Sequence, residues 1–272
     1  MNRLDRKVAL ITGGGRGIGL SLARKLAAEG ARMVVNDLDP TEAEAAAHAI
    51  SRAGGSAFAY PGNVTHEGFA HGFIGAALSE YGDIHILINN AGYVWNAPLH
   101  KITDEQWDAI QDVHLKAPFR ILRELHSFLA SRVPEERATG ALVHRKIVNV
   151  SSVSASAGQS GQANYAAAKA GLFGLTRSLA KEWGLLAVNV NCVAFGYIET
   201  RLTQEISGET VITIEGVSRR VGLTRPMIEG LKERIALGRA GTPDEAAGAV
   251  MLFCIPESDY VTGQILEVSG GL

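Results

Sequence analysis

A chain of 272 residues with 46% hydrophobic and 20% charged side chains is long enough to bury one large core and has the makeup of a globular protein. A formal net charge of -2 supplies no basic field for nucleic acid or an anionic membrane. No apolar stretch reaches bilayer length, and the apolar run after the first residues is too short for a secretory leader. Cys192 and Cys254 sit in apolar runs without a Cys or His at metal-ligand spacing, so both are expected as buried apolar groups, with no metal and in a reducing, cytoplasmic setting.

Short β-rich runs alternate with longer helical patterns. VALIT (8–12) reads as a buried strand closed by glycines, followed by a helix at 20–29 that Gly30 stops. RMVVN (32–36) is a second strand, 41–53 a second helix between Pro40 and Gly54-Gly55, SAFAY (56–60) a third strand and 66–81 a third helix. A fourth strand at 84–89 precedes a long helical stretch at about 104–132, a polar loop at 134–145 and a fifth strand at 146–150. A helix at 164–184 and strands at 188–194 and 264–268 complete the series. Such alternation predicts one domain, α/β in class: a seven-stranded parallel sheet with helices on both faces. The exception is 201–242, a long strandless excursion before a helix starting near Pro243. Its apolar patches, Ile206, Val211 to Ile214, Val217, Val221 and Leu223, predict either a lid over a substrate cleft or an arm that contacts another subunit.

Three constellations carry chemistry. TGGGRGIG (12–19) lies between a strand and a helix, where glycines let the backbone approach a pyrophosphate and the helix start offers free N–H groups. Asp37 follows the second strand. A carboxylate there accepts hydrogen bonds from ribose hydroxyls and repels a 2′-phosphate, although NDLDP also suits a solvated turn. Arg16 pulls the other way, toward a phosphorylated ribose; the direct meeting of Asp37 with the ribose decides for NAD. Finally, Tyr165 and Lys169 are four apart on one helix face, and Ser152 ends the fifth strand at the carboxyl edge where open sheets bind ligands. A phenol with a pKa near 10 is a poor proton donor and acceptor at neutral pH unless its anion is favoured. An adjacent ammonium would favour that anion, and Ser152 would hold the substrate oxygen.

With TGGGRGIG, NNAG (89–92), NVSS (149–152), YAAAK (165–169) and YVTGQILEVSGG near the end, the chain resembles the one-domain short-chain dehydrogenase/reductases, and within them the 3-oxoacyl-carrier-protein reductases. The resemblance implies a three-layer Rossmann fold with strand order 3-2-1-4-5-6-7, and a homotetramer or dimer. It implies catalytic Ser152, Tyr165 and Lys169, with Lys169 also on the nicotinamide ribose. It places Gly13, Arg16, Gly17, Ile18 and Gly19 at the pyrophosphate, Asn63 and Val64 beside the adenine, Asn89, Ala91 and Gly92 along the cofactor, and Ile198 and Thr200 at the carboxamide. Three positions depart from the family pattern. His114 stands where a relay Asn is usual, Phe195 precedes Gly196 where Pro is usual, and Asn63 replaces Asp. His114 is expected either to alter the relay with a titration of its own or to serve as a helix packing residue.

These features predict reversible hydride transfer between NAD(H) and a secondary alcohol or ketone, with a 3-oxoacyl thioester as one form of substrate. The alternative is an NAD(H)-binding protein whose catalysis is lost or residual. Cleft walls of Tyr93, Trp95, Val153, Gln159, Phe195 and Tyr197 favour a largely hydrophobic small-molecule substrate.

Overall fold

The structure is a computed structural model that describes residues 2–206, 211–214 and 217–272, with backbone alone at 211–214 and 217–220. Seven parallel strands form one sheet: β1 (Val8–Ile11), β2 (Arg32–Val35), β3 (Ser56–Ala59), β4 (Ile86–Asn89), β5 (Arg145–Ser152), β6 (Val188–Phe195) and, after a separate hairpin, β9 (Ile265–Val268). Their order, β3-β2-β1-β4-β5-β6-β9, is the predicted one.

Period-2 alternation sends neighbouring strand residues to opposite faces, and both faces are covered. Ala9, Ile11, Met33, Val35, Ile86, Ile88, Val148 and Val193 join one core with α1 (Gly17–Ala28), α2 (Pro40–Arg52) and α9 (Pro243–Met251). Val8, Leu10, Val34, Leu87, Ile147 and Val190 join a second core with α3 (Phe69–Tyr81), α5 (Ala117–Thr139) and α7 (Ala163–Glu182), which the one-turn α6 (Ser154–Ala157) precedes. The result is a three-layer Rossmann-type fold. Among the described residues, no helix is long and apolar enough to cross a membrane.

Two local expectations are corrected and one is refined. The helical stretch at 104–132 is continuous, but α4 (Asp104–Gln111) and α5 meet in a wide π-type turn at Asp112–Lys116. The polar loop at 134–145 is helix as far as Thr139. Val133 is buried on its inner face, and Glu136 turns inward to meet Arg145 at 2.7 Å, an ion pair that sequence periodicity does not reveal. The excursion is not strandless either. It holds an antiparallel hairpin, β7 (Val211–Ile214) and β8 (Val217–Arg220), and α8 (Arg225–Arg234). The burial expected of the patches at 211–214 and 217 lies outside the described residues. The excursion is tied at two levels: Gly241 donates to the Tyr197 carbonyl at 3.0 Å, and Ile206 to the Leu223 carbonyl at 3.0 Å.

Candidate active site

The carboxyl edge of the sheet opens into one large cleft of about 2000 Å³. Its floor is the glycine loop between β1 and α1. Gly13 has φ +64, and a Cβ there would stand 2.9 Å from the Ala91 Cα; a Cβ on Gly19 would stand 2.0 Å from the Gly13 carbonyl oxygen. Only glycine permits that closeness. The loop is anchored by Asn90, whose Nδ2 donates to the carbonyls of Thr12 at 3.0 Å and Gly13 at 2.9 Å, while the Thr12 hydroxyl accepts from the backbone of Asn90 and Ala91. Helix α1 begins at Gly17 without a side-chain cap or an acidic residue in its first turn, so its leading N–H groups stay free for an anion. That geometry fits a pyrophosphate.

Asp37 sits on the rim above this loop. Its Oδ2 accepts from the Gly15 N–H at 3.0 Å and its Oδ1 from the Asp39 N–H at 3.2 Å, which fix the carboxylate before any ligand arrives. Arg16, Gly17, Ile18, Asn63, Val64, Ala91, Gly92, Ile198 and Thr200 line the same cleft. Asn63 uses its Oδ1 to hold the following turn, accepting from the Thr65 amide at 3.0 Å and hydroxyl at 2.9 Å. Asn89 does not reach the cleft wall. It is buried beneath, donating to Asn149 Oδ1 at 2.8 Å, and Asn149 in turn donates to the Thr176 hydroxyl at 2.9 Å. This amide chain ties β4 to β5 and α7, and the neighbouring Asn90 faces the cleft instead.

The proton-handling groups gather at the other end. Ser152 ends β5, its Oγ accepts from the Ser154 N–H at 3.2 Å, and its hydroxyl stands beside the Tyr165 phenol. Tyr165 stands in the first turn of α7, held there by the fully buried Asn164. Asn164 Oδ1 accepts from the Tyr165 amide at 2.9 Å, and its Nδ2 donates to the Trp95 carbonyl at 3.2 Å and the Gln106 carbonyl at 3.3 Å. Gln111 donates to the Asn164 carbonyl at 2.9 Å, so α4 and the chain around Trp95 jointly position the tyrosine. Asn164 was not among the sequence candidates, because an Asn at a helix start ordinarily reads as a capping residue.

One turn further along α7, Lys169 is 4% exposed; its Nζ donates to the Val150 carbonyl at 2.6 Å and lies 5.7 Å from the Tyr165 ring centre. Burial dominates both groups. It raises the Tyr165 phenol to about 12, against the opposing Ser152 hydroxyl, and lowers the Lys169 ammonium to about 8. The expected lowering of the phenol is therefore not produced by these side chains alone.

His114, on the π-type turn, is 2% exposed and packs edge-to-face with the Tyr165 ring at 5.0 Å. Its Nε2 donates to the Tyr93 carbonyl at 2.7 Å, and its Nδ1 is buried without a hydrogen-bond partner. Gly92 makes room for the ring: a Cβ there would fall 2.1 Å from His114 Cε1. Desolvation first, then the nearby Lys169, holds the imidazole pKa well below its ordinary value, so the ring is neutral.

Beyond Tyr165 the walls turn apolar. Tyr93, Trp95, Val153, Phe195 and Tyr197 are joined by Val221, Leu223, Met227 and Leu231 from the excursion, while Gln159 adds one polar group. Leu223, Ile228 and Leu231 pack against the small core of Tyr197, Ile235 and Ala240.

Comparison with known proteins agrees with this geometry. The family model described as Enoyl-(Acyl carrier protein) reductase matches residues 13–272. The chain is 34% identical to the 3-oxoacyl-[acyl-carrier-protein] reductase FabG of Thermotoga maritima, over 99% of each chain. It is 37% identical to the short-chain reductase protein NovJ of Streptomyces niveus, over 98% of this chain and 94% of that one. With FabG of Escherichia coli the identity is 33% over 98% of each. The chain thus belongs to the short-chain dehydrogenase/reductase family and is an oxidoreductase that acts on alcohol or ketone groups with a nicotinamide cofactor.

Proposed function

We propose that this oxidoreductase uses NAD(H) to interconvert a secondary alcohol and a ketone of largely apolar character, with Tyr165 as the acid/base. The observation that carries the reading is that Ser152, Tyr165, Lys169 and the glycine loop all border one cleft, with Asp37 fixed at its far rim. A bound nicotinamide supplies or accepts the hydride at the carbonyl carbon. In reduction, the Tyr165 phenol donates its proton to the developing alkoxide, and in oxidation the phenolate takes it back. Ser152 holds the substrate oxygen beside the phenol. Tyr165 is protonated at neutral pH and burial raises its phenol further, a state suited to donating in the reductive direction. Lys169 supplies positive charge under the ring, and the neutral His114 ring packs edge-to-face against the phenol.

Asp37 supports NAD(H) over NADP(H), since its carboxylate would accept from ribose hydroxyls and repel a phosphate. The apolar walls support a hydrophobic substrate, and the 3-oxoacyl-carrier-protein reductases among the relatives make an acyl thioester the first candidate to assay. In this reading α8 and the strands before it close over the substrate end as a lid. Trp107 on α4 and Phe119 on α5, exposed in the single chain, suit a subunit contact in a homotetramer or dimer. The free thiols of Cys192 and Cys254 suit the cytoplasm.

The test is kcat/KM for NADH and NADPH across ketones of rising hydrophobicity, including 3-oxoacyl thioesters. Higher efficiency with NADH and with apolar ketones is expected. Preference for NADPH would reject the cofactor choice, and preference for small polyhydroxy ketones would reject the substrate class.

A further inference from the structure

Arg16 lies beside the phosphate loop and would be the natural cation for a phosphorylated ribose, because a guanidinium fork matches phosphate oxygens. The structure has given that fork other partners. Its Nη2 is 2.5 Å from Asp39 Oδ2 and 3.1 Å from Glu42 Oε1. Asp39 is held in place from its other oxygen, which accepts from the Thr41 N–H at 3.1 Å as the N-cap of α2, and its own N–H donates to Asp37. Glu42 follows in the first turn of the same helix. Gly15 nests between the acids, where a Cβ would stand 2.7 Å from Asp37 Oδ2 and 2.9 Å from the Glu42 Cβ. Arg16, Asp37 and Asp39 line this end of the cleft with Glu42 behind them, and two of the three acids already hold the cation.

We propose that Asp39 and Glu42 are specificity-determining residues: by clamping Arg16 they deny it to a ribose 2′-phosphate and so enforce the choice of the unphosphorylated dinucleotide. The proposal rests on the NAD(H) reading above, and it differs from simple repulsion by Asp37. If Asp37 acted alone, removing its charge would suffice to admit NADPH. With the clamp, the phosphate would still meet two acids and a cation that is already paired. The three clamp side chains are each between one third and one half exposed. Ion pairs so exposed add little to stability, which leaves ligand selection as the consequence of their geometry. The same exposure makes the effect sensitive to salt.

The experiment measures Kd for NADH and NADPH, without substrate, by calorimetry or by quenching of protein fluorescence. Asp37→Asn, the pair Asp39→Asn with Glu42→Gln, and each of these combined with Arg16→Met are compared with the natural chain. Asn at position 39 keeps a competent helix cap, so α2 should start as before. The paired substitution should lower the ratio Kd(NADPH)/Kd(NADH) by about ten-fold or more, more than Asp37→Asn does, and Arg16→Met should erase that gain. No change in the ratio from the paired substitution overturns the proposal. So does a gain that survives Arg16→Met, since the acids would then act by repulsion alone. Failure of the NAD(H) reading has a separate signature, tighter binding of NADPH than NADH by the natural chain.

Discussion

His114 donates its Nε2–H to the Tyr93 carbonyl at 2.7 Å, and this bond leaves the Nδ1 lone pair as the ring's remaining polar function. A neutral imidazole fixed in one tautomer is an acceptor, and it does not ionise near the ordinary histidine value. Of the two expectations for His114, burial favours a packed neutral ring over one that titrates in the catalytic profile. The pH profile of kcat should lack an inflection near 6.5 that disappears in His114→Asn. His114→Phe, which removes the acceptor, should lose more activity than His114→Asn. An inflection near 6.5 abolished by His114→Asn would show that the ring does ionise in the working enzyme.

The same buried ring makes stability depend on acid. Folded pKa values are depressed for both His114 and His85, the latter to about 4 by burial, with Val8 N–H donating to its Nδ1 at 3.1 Å. The unfolded chain takes up these protons below about 6.5 while the folded chain does not, so stability is full above that pH and falls as pH drops from about 6.5 toward about 4. Denaturant titrations should show a shallower slope in His85→Asn. An unchanged slope would mean that the ring is protonated in the fold.

Gly92→Ala should disturb the site through His114, since the new methyl would stand 2.1 Å from the ring. The cost is about 1–3 kcal/mol of stability, as for other overpacked positions. Combining it with His114→Ala should restore most of that loss. If the double variant is as unstable as the sum of the two single ones, the conflict lies elsewhere.

Tyr165→Phe should cut turnover by about 10²–10⁴-fold, the range for loss of general acid–base catalysis, while cofactor still binds. In the unliganded protein the Tyr165 phenol should ionise near 12, visible as a difference in ultraviolet titration between the natural chain and Tyr165→Phe. Substantial residual turnover would remove Tyr165 from the acid/base role. Lys169→Met should lower both turnover and cofactor affinity.

The ion pair between Arg145 and Glu136 is 3% and 8% exposed and lies at the amino edge of the sheet, away from the cleft. Glu136→Ala would leave the guanidinium with Asp83 as its nearest acid and should cost about 3–5 kcal/mol. KM values at 25 °C should stay within about two-fold of the natural chain's. A stability change below about 1 kcal/mol would show that Asp83 alone satisfies Arg145.

The parallel sheet and the two helical layers were legible in the sequence, and the strand order followed from the family resemblance. Short, continuous apolar runs such as Val8 to Ile11 and helical stretches such as 41–53 are local signals, and their alternation points to a parallel sheet covered by helices. The glycine loop, Asp37 and the Tyr165–Lys169 pair were legible for the same reason: spacing on one strand, turn or helix fixes their relative placement. Long-range partnership was not. That Glu136 would extend a helix to reach Arg145, or that Asp39 and Glu42 would take up Arg16, depends on segments brought together only by folding. Tertiary structure likewise tuned the ionisation of the site, because burial, which no spacing records, raises the Tyr165 phenol and lowers the His114 imidazole.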